Sequence, residues 1–157
     1  MHFHFSPARS EDFSRLLELR LLTMRESLER IGRFDPQRAF ERFQNSFRPQ
    51  HTRLILIGNQ FAGCVALGPD EGDWLLEHFY IAPAFQGCGL GSLVLAQLIT
   101  EAEQAKKIIK LSVLQKSDAA RFYEKHGFHK TGEDEWDIYY ARLPSFHVNH
   151  RTGKIRL

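Results

Sequence analysis

Cysteine is scarce in this chain, and long apolar runs are missing. Only Cys64 and Cys88 occur among 157 residues. Two cysteines make no disulfide framework, and neither sits in a CxxC or Cys/His ligand array. The eight histidines show no metal-ligand spacing either; His126 and His129 merely straddle Gly127. No apolar stretch approaches the roughly 20 residues that span a bilayer. The start, Met1-His2-Phe3-His4-Phe5, lacks the charged opening and apolar run of a signal peptide. A net charge of only +2, with basic residues dispersed except in the tail, argues against nucleic acid or an anionic membrane as partner. The tail, with His147, His150, Arg151, Lys154 and Arg156, reads as a solvated end. These absences leave a metal-free globular protein, with a reducing cytoplasm as the default setting.

What is present fits one domain, residues 1–157, without repeats, linkers or low-complexity segments. Hydrophobic content of 43% and charged content of 25% are ordinary, whereas 13 phenylalanines promise an aromatic-rich core. Phe3 and Phe5 alternate with polar neighbours and suggest a first strand. Ser10 is placed to cap a helix with the apolar face Phe13, Leu16, Leu17, Leu21 and Met24. Asp35-Pro36 opens a second helix, presenting Phe40, Phe43 and Phe47. Strands are expected over 53–58, 61–67 and 74–82, with a loop over 68–72. After Pro83 the period changes: a helix opened by glycines carries Leu90, Leu93, Val94, Leu98 and Ala102. Then follow a central apolar strand over 108–114, a short helix capped by Ser117-Asp118 and stopped at Gly127, and a last strand over 136–143. The result is an α/β chain with a mixed sheet and helices on both faces.

The segment Gln86-Gly87-Cys88-Gly89-Leu90-Gly91-Ser92 joins a strand to a helix. Glycines permit close backbone approach, and the first amides of a helix point outward without intrahelical partners. Together they form an anion site suited to phosphate; the plain alternative is a tight strand-to-helix connection. A Rossmann fingerprint counted from Gly87 fails at Ser92, and a Gly-Lys-Ser/Thr P-loop does not occur.

The remaining spelling, Gln-x-x-Gly-x-Gly at Gln86, Gly89 and Gly91, resembles the acetyl-CoA loop of the GNAT acetyltransferase superfamily. Ile81-Ala82-Pro83 before it, and the aromatic helix Ala119-Ala120-Arg121-Phe122-Tyr123-Glu124-Lys125-His126-Gly127-Phe128 about thirty residues later, match that family's other signatures. The resemblance covers about residues 74–143. It implies a GNAT-like mixed, mostly antiparallel twisted sheet flanked by helices on both faces, with a splay at the central strand. It also implies acetyl-CoA as co-substrate, held by Phe79, Tyr80, Ile81, Gln86, Gly87, Cys88, Gly89, Leu90, Gly91, Ser92, Ala119 and Phe122. One departure stands out: the family often has asparagine seven residues before the helix tyrosine, where this chain has Lys116, a residue able to meet a cofactor phosphate.

Acetyl transfer to an amine needs a base for the ammonium, donors for the thioester carbonyl and an acid for the leaving thiolate. Backbone amides around Phe79 to Ile81 are candidate carbonyl donors if the strand splays. Tyr123 is the candidate acid, matching the family tyrosine beside the cofactor sulfur; the alternative is aromatic packing with Phe122. Glu77 is the candidate base, working through a water, since alternation places Leu75, Glu77, Phe79 and Ile81 on one face. The strand Leu76-Glu77-His78-Phe79-Tyr80-Ile81 also resembles that of spermidine/spermine acetyltransferases, which carry an acid at this position. His78 is the rival base, with a better-matched intrinsic pKa, on the opposite face unless a bulge turns it. Cys88, without a sequence-adjacent His, reads as a loop residue, and Cys64 as a buried strand residue.

The acidic residues Asp70, Glu71, Asp73 and Glu77, with Glu133, Asp134, Glu135 and Asp137, suggest a cationic acceptor, a small basic amine. A protein or peptide amine is the alternative acceptor, and a non-catalytic acyl-CoA sensor the alternative function. The final strand, taken as a sheet edge, offers pairing to a second copy as a homodimer.

Overall fold

Seven strands form one sheet in the order β1-β2-β3-β4-β5-β7-β6. The computed structural model describes residues 1–145 together with the strands His147–Asn149 and Lys154–Arg156. The strands of the main sheet are β1 (His4–Pro7), β2 (Thr52–Ile57), β3 (Gln60–Asp70), β4 (Asp73–Ile81), β5 (Ile109–Leu114), β6 (His129–Glu133) and β7 (Asp137–Arg142). All neighbours are antiparallel except β4 and β5. Helices α1 (Phe13–Arg30) and α2 (Pro36–Ser46) cover one face, and α3 (Leu90–Ala105) and α4 (Ala119–Lys125) the other.

The local chemistry explains most boundaries. The Asp35 carboxylate accepts the Gln37 and Arg38 amides at 3.0 and 3.4 Å, and Pro36 fits the first helical turn. The Ser117 hydroxyl accepts the Ala119 amide at 3.1 Å and starts α4. Ser10, expected as a helix cap, instead begins a 3₁₀ turn, and α1 starts at Phe13. Strand β3 runs on through Gly68-Pro69-Asp70, which were expected as loop, because the tight turn at Glu71-Gly72 absorbs the reversal with two positive φ values.

Strand β6 was not expected, since His129-Lys130-Thr131-Gly132-Glu133 is exposed and polar. It is held by main-chain pairing to β7 and is the edge of the sheet. The last strand of the main sheet is therefore interior, which corrects the expectation of a free edge there. The tail likewise pairs His147–Asn149 with Lys154–Arg156 in its own antiparallel ladder.

The sheet divides two apolar cores. Leu16, Leu19, Phe43, Leu54, Cys64 and Tyr80 pack under α1 and α2. On the other face, Leu76, Ile109, Leu111 and Val113 meet Leu90, Val94, Leu95 and Leu98 of α3. Fully burying one such side chain contributes about 1.5–3 kcal/mol. Two ion pairs tie α3 to the sheet: Arg53 bonds Glu101 through both its terminal nitrogens at 2.8 and 2.7 Å, and Arg142 bonds Glu103 at 2.6 Å. The Arg53 guanidinium holds the Glu101 carboxyl below its usual range.

A bulge in β4 decides the rest. Cys64 pairs with Tyr80 but Ala66 pairs with Glu77, so β4 carries an extra residue there, and His78 takes a left-handed φ of 49°. Face parity consequently flips. Trp74 and Leu76 face the α3 side before the bulge, and Phe79 and Ile81 face it after. Leu75, Glu77, Phe79 and Ile81 therefore do not share a face, which corrects the simple alternation. Gly63 of β3 lies against the bulge, where an added Cβ would stand 2.2 Å from the Tyr80 carbonyl oxygen. Only glycine lets the two backbones approach this closely.

Candidate active site

Strands β4 and β5 pair only at Trp74–Ile109 and Leu75–Lys110 and then part. This is the splay implied by the resemblance, and among the described residues it leaves the β5-facing edge of β4 unpaired beyond Leu75. A cavity of about 740 Å³ occupies the opening, reaching from α1 and α2 across β4 to β5. A second, of about 370 Å³, lies by the first turn of α3. Phe79, Ile81, Gln86, Ala119 and Tyr123 line both, so the two meet along a common seam.

The smaller cavity is mostly backbone. Gly87 and Gly89 adopt φ of 75° and 86°, and Gly89 stands at the N-cap of α3 with no side-chain cap. Leu93 donates back to the Gly89 carbonyl at 3.1 Å, so the amides of Leu90, Gly91 and Ser92 precede the first intrahelical bond. A Cβ at Gly87 or Gly89 would meet nothing within 4 Å, so the backbone there faces open space. A Cβ at Gly91 would reach the Phe122 ring at 3.6 Å. Gln86 acts as an anchor, since its side-chain amide donates to the Ile81 carbonyl at 2.8 Å and fastens the loop to the end of β4. Leu90 is buried beneath the loop, and Phe79, Ile81, Phe85 and Phe122 supply apolar walls. Free amides at the positive end of a helix, beside a narrow apolar trough, fit the pyrophosphate and slender arm of coenzyme A.

The side chains of two expected contributors point away from both cavities. Cys88 is exposed, with its thiol turned back to the Phe85 carbonyl at 3.0 Å. Lys116 is exposed at a left-handed φ of 62°, its carbonyl held by Arg30 at 2.7 Å, and it lines neither cavity.

The larger cavity is made of side chains. A hydrogen-bonded chain crosses its floor: Arg20 donates to the Tyr80 hydroxyl at 2.5 Å, and that hydroxyl lies 3.1 Å from His78 Nδ1. His78 Nε2 lies 2.8 Å from the Ser46 hydroxyl, which itself donates to the Arg42 carbonyl at 2.7 Å. One assignment uses every proton: Tyr80 donates to Nδ1, and Nε2–H donates to Ser46. Burial, reinforced by the charges of Arg20 and Arg48, pushes the His78 imidazolium down to about 3, so the ring is neutral at physiological pH. Burial also raises the Tyr80 phenol to about 12. The bulge thus brings His78 to the same side as Glu77 but engages both its ring nitrogens.

Glu77 accepts from Arg48 at 3.0 Å and keeps its other oxygen 3.6 Å from His78. Its carboxylate is partly exposed at the cavity wall. Tyr123 stands on α4 with its ring edge-on to Phe122 and Phe128. Burial, together with the nearby Tyr80, raises its phenol well above the ordinary value, so the proton stays on at neutral pH.

Of the eight acids expected near an acceptor, only Glu77 and Asp137 line the cavity. Asp70 and Asp73 sit at the far end of the β3–β4 hairpin against Lys110, at 3.1 and 4.0 Å. Glu133 pairs with Lys130, and Asp134 accepts the amides of Trp136 and Asp137. The acidic residues taken from the sequence as a hint of a cationic acceptor do not gather around the cavity.

Sequence reasoning missed Phe85, Ser46, Arg42 and Arg20. Arg20 had a signal: it lies four residues from both Leu16 and Met24, on the face that should be apolar. Among the described residues no group of three or more His, Cys, Asp or Glu could hold a metal ion, and no helix is long and apolar enough to cross a membrane.

Residues 50–130 match the family model described as an acetyltransferase (GNAT) domain. The chain is 31% identical over 94 residues to the ribosomal protein bS18-alanine N-acetyltransferase of Haemophilus influenzae, covering 59% of this chain and 64% of that protein. The fold is similar to that of the PaiA N-acetyltransferase of Thermoplasma acidophilum, solved with coenzyme A. The TM-score is 0.72 at 14% identity, over 91% of this chain and 99% of that one. It is also similar to the ribosomal-protein-S18-alanine N-acetyltransferase of Escherichia coli, with a TM-score of 0.69 at 17% identity over 95% and 98% of the two chains. The matched segment contains the β4 splay, the glycine loop and the Tyr123 helix, and with it the chain belongs to the GNAT acetyltransferase family.

Proposed function

We propose that the protein is an N-acetyltransferase that uses acetyl-CoA to acetylate a primary amine directly, without an acyl-enzyme. The observation that carries this reading is the position of Tyr123, at the seam between a backbone anion cradle and a side-chain-lined cavity. Acetyl-CoA, when bound, supplies an acetyl group already activated as a thioester. The amides at residues 87–92 hold its phosphates, and Phe79, Ile81 and Phe122 shape the trough for its arm. Unpaired backbone donors of β4 near Phe79 to Ile81 polarise the carbonyl.

In this reading Tyr123 protonates the departing thiolate, a role suited to a phenol that keeps its proton at neutral pH. Glu77 takes the ammonium proton, through a water, because its carboxylate is partly exposed at the cavity wall. His78 serves as a positioning residue, since its lone pair at Nδ1 is engaged by Tyr80. The acceptor is an amine held in the larger cavity. A protein amine is a second reading, favoured by the similarity to a ribosomal protein bS18-alanine N-acetyltransferase.

The test is release of free CoA thiol from acetyl-CoA in the presence of small amines, polyamines and a peptide with N-terminal alanine. Amine-dependent release is expected. Tight acetyl-CoA binding with no release from any amine would leave the sensor reading in its place.

A further inference from the structure

Arg20 is a buried cation without a counter-ion among the described residues. It is only 9% exposed, lies on the cavity-facing side of α1, and lines the larger cavity. Its one hydrogen-bond partner is the neutral Tyr80 hydroxyl, and its Nε has no partner among the described residues. No carboxylate of the described residues lies within salt-bridge distance of it. The nearby acid Glu77 is already paired with Arg48. Removing a guanidinium from water costs several kcal/mol unless an anion or well-placed acceptors replace the water. A second guanidinium, Arg42, lines the same cavity, close enough to Asp137 to act on its carboxyl. The cavity thus holds two arginines, and one of its two acids is already neutralised from outside it.

We propose that the acceptor carries a carboxylate beside its amine, and that Arg20 binds this carboxylate with Arg42 as its neighbour. The guanidinium fork matches a carboxylate in shape and charge, and no carboxylate among the described residues occupies it. Glu77 and Arg20 lie on the same side of β4, so a compact zwitterion can meet both, its ammonium toward Glu77 and its carboxylate toward Arg20. The acceptor is then an amino acid with a free carboxylate rather than a polyamine or an amide. This inference rests on the acetyl-transfer reading for its chemistry, but not for the existence of the anion site.

The experiment compares free amino acids with their matched carboxamides, with spermidine and with an N-terminal-alanine peptide amide, reading thiol release from acetyl-CoA by the full chain. For the best acceptor the free carboxylate is expected to exceed its amide by at least about 30-fold in kcat/KM. Arg20→Gln should erase most of that ratio by raising KM for the carboxylate form, while the amide changes less than about threefold. Arg20→Lys, which keeps the charge, should retain part of the preference. Equal or better use of the amide, the peptide or spermidine by the wild-type protein overturns the proposal, as does an equal loss for both forms in the variant. Should no amine be acetylated, the anion site is read by thermal shift. N-acetylated amino acids must then stabilise the wild-type protein, and their amides must not. A lack of that difference also overturns it, whereas its presence would sink only the acetyl-transfer reading.

Discussion

The two cavities that meet at Tyr123 are built in different ways. The smaller one draws on two short stretches, 79–92 and 119–123, and its polar surface is chiefly backbone at Gly87, Gly89 and the first turn of α3. The larger one gathers side chains from α1, α2, β4, β5 and β7, separated by up to more than a hundred positions. A backbone site tolerates changes of side chain but not of φ or of close approach. A side-chain site responds in the opposite way, since each polar group depends on the partners that position it. One half of this cleft can therefore be altered residue by residue, which suits acceptor choice, while the other is tied to main-chain geometry.

The largest expected effect lies at the seam. Tyr123→Phe removes one hydroxyl and should lower kcat by roughly 10²- to 10⁴-fold, the range for loss of a general acid. Acetyl-CoA affinity, measured by calorimetry, should stay within about threefold, because the trough keeps its ring. Undiminished turnover would remove Tyr123 from the mechanism and leave it as packing against Phe122 and Phe128.

Next comes the bulge that separates the two regions. Gly63→Ala would set a Cβ 2.2 Å from the Tyr80 carbonyl oxygen, a backbone clash that no rotamer relieves. Overpacking of this kind costs about 1–3 kcal/mol, a fall in Tm of very roughly 2–12 °C for a chain of this size. Thermal denaturation reads it, and an unshifted Tm would show that the bulge moves freely.

The His78 ring tests the side-chain half by pH. Its folded-state value of about 3 lies below the ordinary 6.5, so the unfolded chain binds the extra proton first. The stabilising contribution is therefore present above pH 6.5 and is lost as pH falls from 6.5 toward 3, with a slope of at most about 1.4 kcal/mol per pH unit. His78→Gln should flatten that part of the urea-denaturation profile. The same variant sharpens the choice of base. Turnover of the wild-type protein should show no inflection from His78 between pH 5 and 8, and one that vanishes in His78→Gln would move the base from Glu77 to His78.

The smallest effect is expected at Cys88. Its exposed thiol bonds a carbonyl of its own loop, so Cys88→Ser should shift stability by less than about 0.5 kcal/mol and activity by less than about twofold. Loss of turnover would contradict direct transfer and reopen a covalent route through the loop.

Legibility follows the same division. The glycine loop, the Asp35-Pro36 helix start and the Ser117 cap were readable because each is a local preference of a few adjacent residues. Strand β6 was not, because its polar residues hold strand geometry only through pairing with β7. The shared side of Glu77 and His78 was not either, since one extra residue in β4 against β3 shows only when the two strands are aligned. Lys116 and the acidic runs misled because charge in sequence carries no direction, and their side chains found partners elsewhere or turned to solvent.

By itself the amino-acid sequence determined the order of elements, the glycine conformations of the loop and the aromatic helix that carries Tyr123, because backbone preference and capping act within a few residues. Only the tertiary structure decided that β4 and β5 part beyond Leu75, that both ring nitrogens of His78 have hydrogen-bond partners, and that Arg20 is enclosed in the cavity with no carboxylate of the described residues beside it. Those outcomes depend on register, burial and the meeting of helices α1 and α2 with a distant strand, and these are properties of the assembled chain.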